Sequence, residues 1–158
     1  MKNEHLFIAW TDKFSCGVKA IDEQHKGLVD LINEMHNHVA GNCDQEYKYF
    51  KMVIHEAVMY VKNHFATEEK IMLITKFWGY AEHKKEHDGF VRTVVETIHE
   101  YEAGKRFTPL HFTWFLKDWV LSHIALMDKQ YFEHFRNIAT RKADGTLSIT
   151  INDVNTSH

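Results

Sequence analysis

Apolar side chains recur at alternating steps of three and four residues along four stretches of this chain, which is the period of an amphipathic α-helix. In the first stretch the positions on one side, the seam, are Ile21, His25, Leu28, Ile32, Met35 and Val39. Comparable seams run through the other three stretches. The pattern therefore predicts helices at about residues 19–40, 45–74, 80–103 and 109–134.

Short connections separate the four predicted helices. Gly41 and Gly104 follow the first and third helices as C-terminal stops. Thr108 precedes Pro109, the only proline, and a capping threonine before a proline at the first helical position marks a helix start. Four amphipathic helices with short connections are typical of an all-α fold, the antiparallel up-down-up-down four-helix bundle.

The two ends of the chain lie outside the predicted helices. The first eighteen residues are predicted to form an irregular N-terminal arm, with apolar anchors at Leu6, Phe7, Ile8, Trp10 and Phe14. Near the other end, residues 147–151 alternate like a strand. Because a strand without a partner is not stable, we expect a loosely ordered C-terminal tail. The chain is thus predicted to contain a bundle domain at residues 1–135 and an extension of unknown role at 136–158.

Length and composition limit the possible function classes. A chain of 158 residues, 44% of them hydrophobic, can bury one core. A charged fraction of 26% and a net charge of −3 provide no basic surface for nucleic acid. The apolar run at residues 6–10 is too short for a signal peptide or a membrane span. Cys16 and Cys43 form no disulfide framework, so we expect a cytoplasmic protein that contacts neither nucleic acid nor membrane.

Thirteen histidines are the unusual feature of the composition. Their spacing alone is uninformative, because roughly one His-x3-His pair is expected by chance at this frequency. Their position is informative, because buried imidazoles and carboxylates are costly unless they are paired or bound to a metal. Six such side chains occupy seam positions: His25, His64, Glu68, His83, His87 and His123. A buried metal site is the interpretation that this placement favours.

The level of these residues in the bundle agrees with one common site. In an antiparallel bundle, residues early in the first and third helices meet residues late in the second and fourth. Asp128 fits less regularly, since five residues beyond His123 it points about 140° around a regular helix. Either the helix changes shape locally or Asp128 enters from the flank to bridge the metals. Asp128 is preferred because Met127, on the seam itself, is a poor iron ligand.

The ligand types indicate which metal would bind. Carboxylates mixed with imidazoles suit iron or manganese, and the lack of cysteine argues against structural zinc. If Glu68 and Asp128 each bridge two octahedral metals together with a solvent-derived oxygen, three positions on each metal are filled. Five histidines then leave a single open position. A vacancy beside a reducible metal pair suits dioxygen.

Four sequence words surround these positions: Ile-Asp-Glu-Gln-His-Lys at 21–26, His-Phe-Ala-Thr-Glu-Glu at 64–69, His-Lys-Lys-Glu-His-Asp at 83–88 and Asp-Lys-Gln-Tyr at 128–131. They resemble the hemerythrin family, and in particular the bacterial hemerythrins (bacteriohemerythrins). The resemblance covers residues 10–135 and matches all seven ligand positions in order. It implies a four-helix bundle with a non-haem di-iron centre. Residues 78–81 depart from the Tyr-Pro pair that members often carry there, and the tail is longer than usual.

The resemblance also implies how the ligands are divided and what the site does. His83, His87 and His123 would saturate one iron, whereas His25 and His64 would leave the open position on the other. The family's oxygen pocket would be lined here by Phe65, Trp119 and Ile124. The implied function is reversible dioxygen binding for storage, delivery or transport, by a protein that is not an enzyme. A site richer in neutral histidine than in carboxylate favours carriage over oxidation, and we expect a monomer.

Two other function classes stay open. An oxygen or redox sensor would transmit iron oxidation to a partner through a change in helix packing. A di-iron oxidoreductase, acting on nitric oxide or in iron–sulfur repair, would need an acid/base group or a redox cysteine near the vacancy. Glu69 and Cys43 are the candidates for that role.

Overall fold

The computed structural model describes residues 6–39, 43–105, 108–138, 140–141 and 147–148. Within them a 3₁₀-helix, Asp12–Phe14, precedes α1 (Lys19–Val39), α2 (Cys43–Ile74) and α3 (Tyr80–Glu102). The last rod comprises α4 (Pro109–Ser122), a π-helical turn (His123–Asp128) and α5 (Lys129–Ile138). The α1 helix packs against α2 and α4, and α2 packs against α3. The predicted all-α four-helix bundle is confirmed, with its last rod ending four residues beyond the predicted limit.

The boundary signals that fall on described residues explain where the helices begin and end. Thr108 occupies the N-cap position with an extended backbone, and Pro109 opens α4 at its first turn. The Thr108 side chain makes no capping hydrogen bond, so the predicted cap is present in position only. After α3, Gly104 adopts a φ of 72°, a left-handed conformation that favours glycine and turns the chain out of the helix. Gly41 lies outside the described residues.

Buried apolar side chains form two clusters along the bundle. The central cluster consists of Ile8, Leu28, Val29, Ile32, Met35, Phe50, Val53, Ile54, Val61, Phe65, Phe90, Val94, Phe112, Leu116, Val120 and Ile124. The end cluster consists of Cys16, Ile21, Met72, Phe77, Tyr131, Phe132 and Phe135. In α1, His25 lies between Ile21 of the end cluster and Leu28 of the central cluster, and Glu68 has the same intermediate place in α2. The predicted metal level is thus a polar layer between two apolar ones.

The N-terminal arm is fixed to α1 by a pair of hydrogen bonds. The backbone N–H of Ile8 donates to the side-chain oxygen of Asn33 at 2.7 Å, and the Asn33 amide donates back to the Ile8 carbonyl at 2.9 Å. Ile8 is buried, and Phe7, Trp10 and Phe14 pack partly buried against the central cluster. The expectation that Leu6 is also an anchor is wrong, since its side chain is 57% exposed.

The predicted strand near the C-terminus is present at Leu147–Ser148, and it has a partner that the sequence pattern did not reveal. It pairs antiparallel with Thr140–Arg141, in the register that places Thr140 opposite Ser148. The expectation of an unpaired strand is therefore wrong for these residues. Residues 136–138 of the predicted tail continue α5, and apart from the strand pair its other residues lie outside those described. Among the helices that the structure describes, none has the length and apolarity needed to span a membrane.

Candidate metal centre

All four rods contribute to one buried cluster of polar side chains. Its members are His25 from α1, His64 and Glu68 from α2, His83 and His87 from α3, and His123 and Asp128 from the π-helical turn. Each of the seven is buried, and none is more than 4% exposed. The structure therefore brings together every side chain that the sequence offered as a ligand.

The π-helical turn explains how Asp128 reaches the cluster. In a π-helix the backbone hydrogen bonds join residues i and i+5 instead of i and i+4. Each turn therefore holds more residues, and residues five apart lie closer to the same side than in an α-helix. His123 and Asp128 are separated by this interval, and their Nε2 and Oδ1 atoms are 3.1 Å apart. Of the two routes open to Asp128, the local change of helix shape is the one that the structure adopts. Such turns are rare and concentrate at functional sites.

The side chains form two overlapping groups that share Glu68. In each group the candidate ligand atoms lie within 4.8 Å of one another. The groups are His25, His64, Glu68 and Asp128 on one side, and Glu68, His83, His87 and His123 on the other. We call these the two-histidine side and the three-histidine side.

Both carboxylates face the two sides at once. Oε1 of Glu68 lies 3.6 Å from Nε2 of His64, and Oε2 lies 3.4 Å from Nε2 of His87. Oδ2 of Asp128 lies 3.2 Å from Nε2 of His25, and Oδ1 lies 3.2 Å from Nε2 of His83. Each carboxylate thus directs one oxygen atom to each side, which is the arrangement that a bridging ligand requires.

The donor set fits a cation, because the cluster leaves buried polar atoms without partners. Both ring nitrogens of His25 and His83 and both oxygens of Glu68 and Asp128 have no hydrogen-bond partner. Among the described residues, only the Tyr131 hydroxyl is a further buried side-chain atom of this kind. A buried polar atom without a partner is costly, and most proteins avoid it. Cations placed between these lone pairs would satisfy them.

The pKa values show how strongly the cluster attracts positive charge. Burial lowers the pKa of His25, but contacts with the carboxylates of Asp128 and Glu68 outweigh burial and raise the pKa to about 9. Opposing causes of the same kind raise the pKa of His83 to about 9. For His64 burial dominates and lowers the pKa to about 4. Without a cation, protons on His25 and His83 would partly take its place.

The two carboxylates are held in their ionised form. Burial raises the pKa of Glu68, but the neighbouring His64 and contacts with other imidazoles bring it well below its usual range. For Asp128, burial and the charge of Glu68 raise the pKa, and contacts with His123 and His25 more than reverse that effect. Two anionic carboxylates in one dry layer are an environment suited to multivalent cations.

Contacts behind the histidines orient their rings. The Nδ1 of His87 donates to Oε1 of Glu69 at 3.1 Å, and the Nδ1 of His64 donates to Oε1 of Gln24 at 3.0 Å. Each bond directs the unprotonated Nε2 toward the centre of the cluster, as outer contacts of metal-binding histidines usually do. Glu69 also lies 3.5 Å from the Lys84 ammonium.

These outer contacts differ from what the sequence suggested. Glu69 is the acid/base candidate of the enzyme hypothesis, but its carboxylate contacts the His87 nitrogen that faces away from the cluster. The role of Gln24 was missed, although it directly precedes His25 in the word at 21–26. The side chain of Cys43 lies outside those described.

Two aromatic side chains cover the three-histidine side. Phe65 stacks on His87 with ring centroids 3.7 Å apart, and Trp119 stacks on His123 at 4.3 Å. Ile124, the third residue assigned to an oxygen pocket, is buried in the central cluster. The structure places Phe65 and Trp119 against candidate ligand rings, whereas Ile124 is related to the centre only by following His123 in the chain. The role of all three in a pocket stays a prediction.

Two further aromatic side chains, outside the predicted pocket, approach the two-histidine side. Phe132 lies 6.0 Å and Trp10 6.5 Å from the His25 ring, measured between centroids. The helical period places Phe132 on the bundle interior, but the approach of Trp10 depends on how the arm docks.

Comparisons with known proteins agree with this architecture. The family described as "Hemerythrin HHE cation binding domain" matches residues 16–135. The bacteriohemerythrin of Pseudomonas aeruginosa is 32% identical over 130 residues, covering 82% of this chain and 82% of the relative. That of Methylococcus capsulatus is 32% identical over 126 residues, covering 78% and 93%.

A crystal structure of wild-type hemerythrin is similar to this chain, with a TM-score of 0.71 and 31% identity, covering 80% of this chain and 96% of that one. A hemerythrin from Sipunculus nudus is 26% identical over 125 residues, which is 78% of this chain and 90% of the relative. The family match extends through the four helices of the bundle as far as residue 135 and includes every residue of the buried cluster. The chain therefore belongs to the hemerythrin family.

Proposed function

We propose that this protein binds dioxygen reversibly at two non-haem iron ions, for storage, delivery or transport. The proposed ligands are His25, His64, Glu68, His83, His87, His123 and Asp128. The observation that carries the proposal is the buried layer in which two carboxylates each present an oxygen to both the two-histidine and the three-histidine side. The names of the relatives, bacteriohemerythrin and hemerythrin, agree with it.

The proposed assignment uses Glu68, Asp128 and a solvent-derived oxygen as bridges. His83, His87 and His123 would hold one iron, and His25 and His64 would hold the other and leave one position there for dioxygen. The unequal number of imidazoles on the two sides supports this division. When bound, the iron pair supplies the electrons that reversible attachment of dioxygen requires.

The protein's own contribution is to orient the ligands and exclude water. Gln24 and Glu69 fix the ring orientation of His64 and His87. Of the proposed pocket residues, Phe65 and Trp119 provide apolar surface against the three-histidine side, and Ile124 belongs to the adjoining central cluster. A dry, apolar surrounding slows side reactions with water, and this favours carriage over turnover.

The remaining parts of the proposal are a monomeric, cytoplasmic protein whose ligand is dioxygen and which is not an enzyme. The enzyme alternative is weakened for one of its candidates, because Glu69 is engaged with the outer nitrogen of His87. Contacts within the described residues do not specifically favour a sensor over a carrier.

An oxygen titration of the iron-loaded, ferrous protein tests the proposal. Anaerobic reconstitution followed by exposure to oxygen should produce a visible absorption band that disappears when the oxygen is removed. The control is His111→Ala, because His111 is exposed on α4 and outside the cluster. A band that forms and never reverses would favour the sensor or the oxidoreductase instead.

A further inference from the structure

Gly27 lies in the interior of α1, a place where glycine is usually unfavourable. Glycine loses more conformational freedom on folding than alanine does, so it destabilises a helix from within. The backbone of Gly27 is helical and lacks the positive φ that would favour glycine. We therefore attribute glycine at this position to a neighbouring side chain.

The side chain of Tyr60, from α2, fills the space beside Gly27. A Cβ atom on residue 27 would overlap the Tyr60 hydroxyl and lie 2.7 Å from its Cζ atom. Any side chain at position 27 would therefore displace the Tyr60 ring. Gly89 provides a contrast, because a Cβ atom on this residue of α3 would meet no atom within 4 Å.

The Tyr60 hydroxyl donates across the interface between α2 and α1. Its acceptor is the backbone carbonyl of Gln24 at 2.8 Å, and the carbonyl of Glu23 lies farther away at 3.4 Å. Burial raises the pKa of Tyr60, so the hydroxyl keeps its proton at neutral pH. The ring packs partly buried against the central cluster, which fixes its direction.

The residue of α1 that accepts from Tyr60 also orients a histidine of the proposed centre. Gln24 accepts from Nδ1 of His64 through its side-chain oxygen and from Tyr60 through its backbone carbonyl. Tyr60 and His64 are four residues apart, so they lie on the same face of α2. Two contacts from this face thus meet at one residue of α1, and that residue directly precedes His25. Together they fix the register of the two helices that supply the two-histidine side.

We propose that Tyr60, in the space left by Gly27, is a positioning residue for the two-histidine side. By holding the backbone of Gln24, it keeps the Gln24 amide beside His64, and the Nε2 atom of His64 then stays unprotonated and directed at the cluster. This inference rests on the proposed function, which makes His64 a ligand. The action of Tyr60 is indirect, through Gln24, and it transfers neither a proton nor an electron.

The tautomer of His64 in the metal-free protein tests this positioning role. At neutral pH, nitrogen-15 NMR should show the imidazole proton on Nδ1, with the signals assigned by their loss in His64→Gln. Tyr60→Phe removes the hydroxyl but keeps the ring, and it should give a mixture of both tautomers. The matched control is Tyr80→Phe, which makes the same chemical change three residues before His83 and should leave the His64 tautomer as it is. An unchanged tautomer in Tyr60→Phe would overturn the proposal, since a contact that only stabilised the helix pair would give that result.

Metal affinity provides a second measurement. In an anaerobic titration with Fe²⁺ against a competing chelator, Tyr60→Phe should weaken one of the two binding events by about tenfold, the lower end of the range for outer partners of metal-binding histidines. The other event, assigned to the three-histidine side, should change less. Equal weakening of both events would indicate a general loss of stability and would overturn the assignment of Tyr60 to the two-histidine side.

Gly27→Ala tests the role of the missing side chain. The added Cβ atom should displace Tyr60 and reproduce both effects of Tyr60→Phe, whereas Gly89→Ala has free space and should reproduce neither. Tyr60→Leu lacks the hydroxyl and the outer part of the ring, so adding Gly27→Ala to it should not change the His64 tautomer further. Additive effects of these two substitutions would show that Gly27 acts independently of Tyr60, and would overturn its place in the proposal.

The outcomes distinguish this inference from the proposed function. Reversible oxygen binding by the unmodified protein, together with an unchanged His64 tautomer in Tyr60→Phe, would overturn the positioning role alone. An absorption band that never reverses, together with the expected tautomer change and weaker metal binding in Tyr60→Phe, would overturn the proposed function and retain the role of Tyr60 at a metal site.

Discussion

The bundle has one half that contains the central cluster and another that contains the candidate metal centre. Both place buried side chains at the same helical period, but those side chains differ in chemistry. In the central cluster, seam positions carry Ile54, Val94 and Leu116, which gain stability simply by leaving water. Two to three turns along the same helices, the seams carry imidazoles and carboxylates that lose hydration when they are buried. Burial is thus favourable in one half and costly in the other.

The difference indicates that the two halves depend on metal to different degrees. The central cluster is complete without any ligand. The layer of candidate ligands contains buried atoms without partners, so a bound cation would stabilise the folded state there by occupying a site that the unfolded chain lacks. We therefore expect substitutions in the two halves to separate metal binding from intrinsic stability.

The largest effect should come from Asp128→Ala. Both oxygens of Asp128 face candidate ligands from different rods, so their removal opens both sides of the centre at once. We expect iron content to fall from two ions per chain, as proposed, to almost none, measured by elemental analysis after anaerobic reconstitution. Asp118→Ala, an exposed position on α4, is the control and should retain full loading. Full loading of Asp128→Ala would contradict the proposed ligand set.

A change of pH should affect the metal-free and iron-loaded proteins in opposite directions. His25 and His83 have pKa values raised from 6.5 to about 9 in the folded, metal-free protein. A raised folded pKa contributes stability below the unfolded value and loses it as pH rises through the folded value. The free energy of unfolding of the metal-free protein, measured in urea, should therefore fall between about pH 6.5 and 9.

The iron-loaded protein should respond at the acidic end instead. Imidazoles must be neutral to bind a metal, so iron should be released around or below the free histidine pKa of ~6.5. In the metal-free protein the acidic range also has an effect: His64, with its pKa lowered to about 4, loses its contribution to the free energy of unfolding as pH falls from 6.5 through 4. Iron content measured after dialysis at each pH checks the release of iron, and full retention down to about pH 4 would rule out a histidine-rich site.

In the apolar half, Leu116→Ala should destabilise the protein without changing its iron stoichiometry. Leu116 is 5% exposed, and truncation of a buried leucine costs about 2–5 kcal/mol. Urea unfolding of the metal-free variant measures the loss. Leu73→Ala, at a leucine that is 56% exposed, is the matched control and should change stability by less than about 0.5 kcal/mol. Loss of iron from folded Leu116→Ala would show that the two halves are not separable.

The smallest effect is expected at the outer contact of His87. Glu69→Ala removes the carboxylate that accepts from its Nδ1, and loss of such an outer partner weakens metal affinity by about 10–100-fold. A competition titration with a chelator measures the change. Glu82→Ala, an exposed position in the first turn of α3, is the control. Equal affinities for the two variants would mean that the Glu69 contact does not orient the ring.

Local sequence patterns predicted the four helices and the relative positions of their residues along the bundle axis, because the helical period and the boundary residues act over one or two turns. Thr108 with Pro109 and the glycine at 104 mark boundaries that the structure retains. The alternation at 147–151 was sufficient to locate a strand, but its partner at Thr140–Arg141 has no comparable pattern. Leu6 was expected to anchor the arm and is exposed, since hydrophobicity alone does not specify which residue meets the bundle.

The sequence by itself determined that four amphipathic helices would bring five histidines and a glutamate to one level, because chain direction and residue count fix that level in an antiparallel bundle. Only the tertiary structure decided how Asp128 joins them, through a π-helical turn. The spacing of side chains in the sequence does not predict the larger number of residues in that turn. The tertiary structure alone decided that Gln24 and Glu69 stand behind His64 and His87. Such contacts cross between helices, and their distances follow from how the helices pack rather than from any local preference.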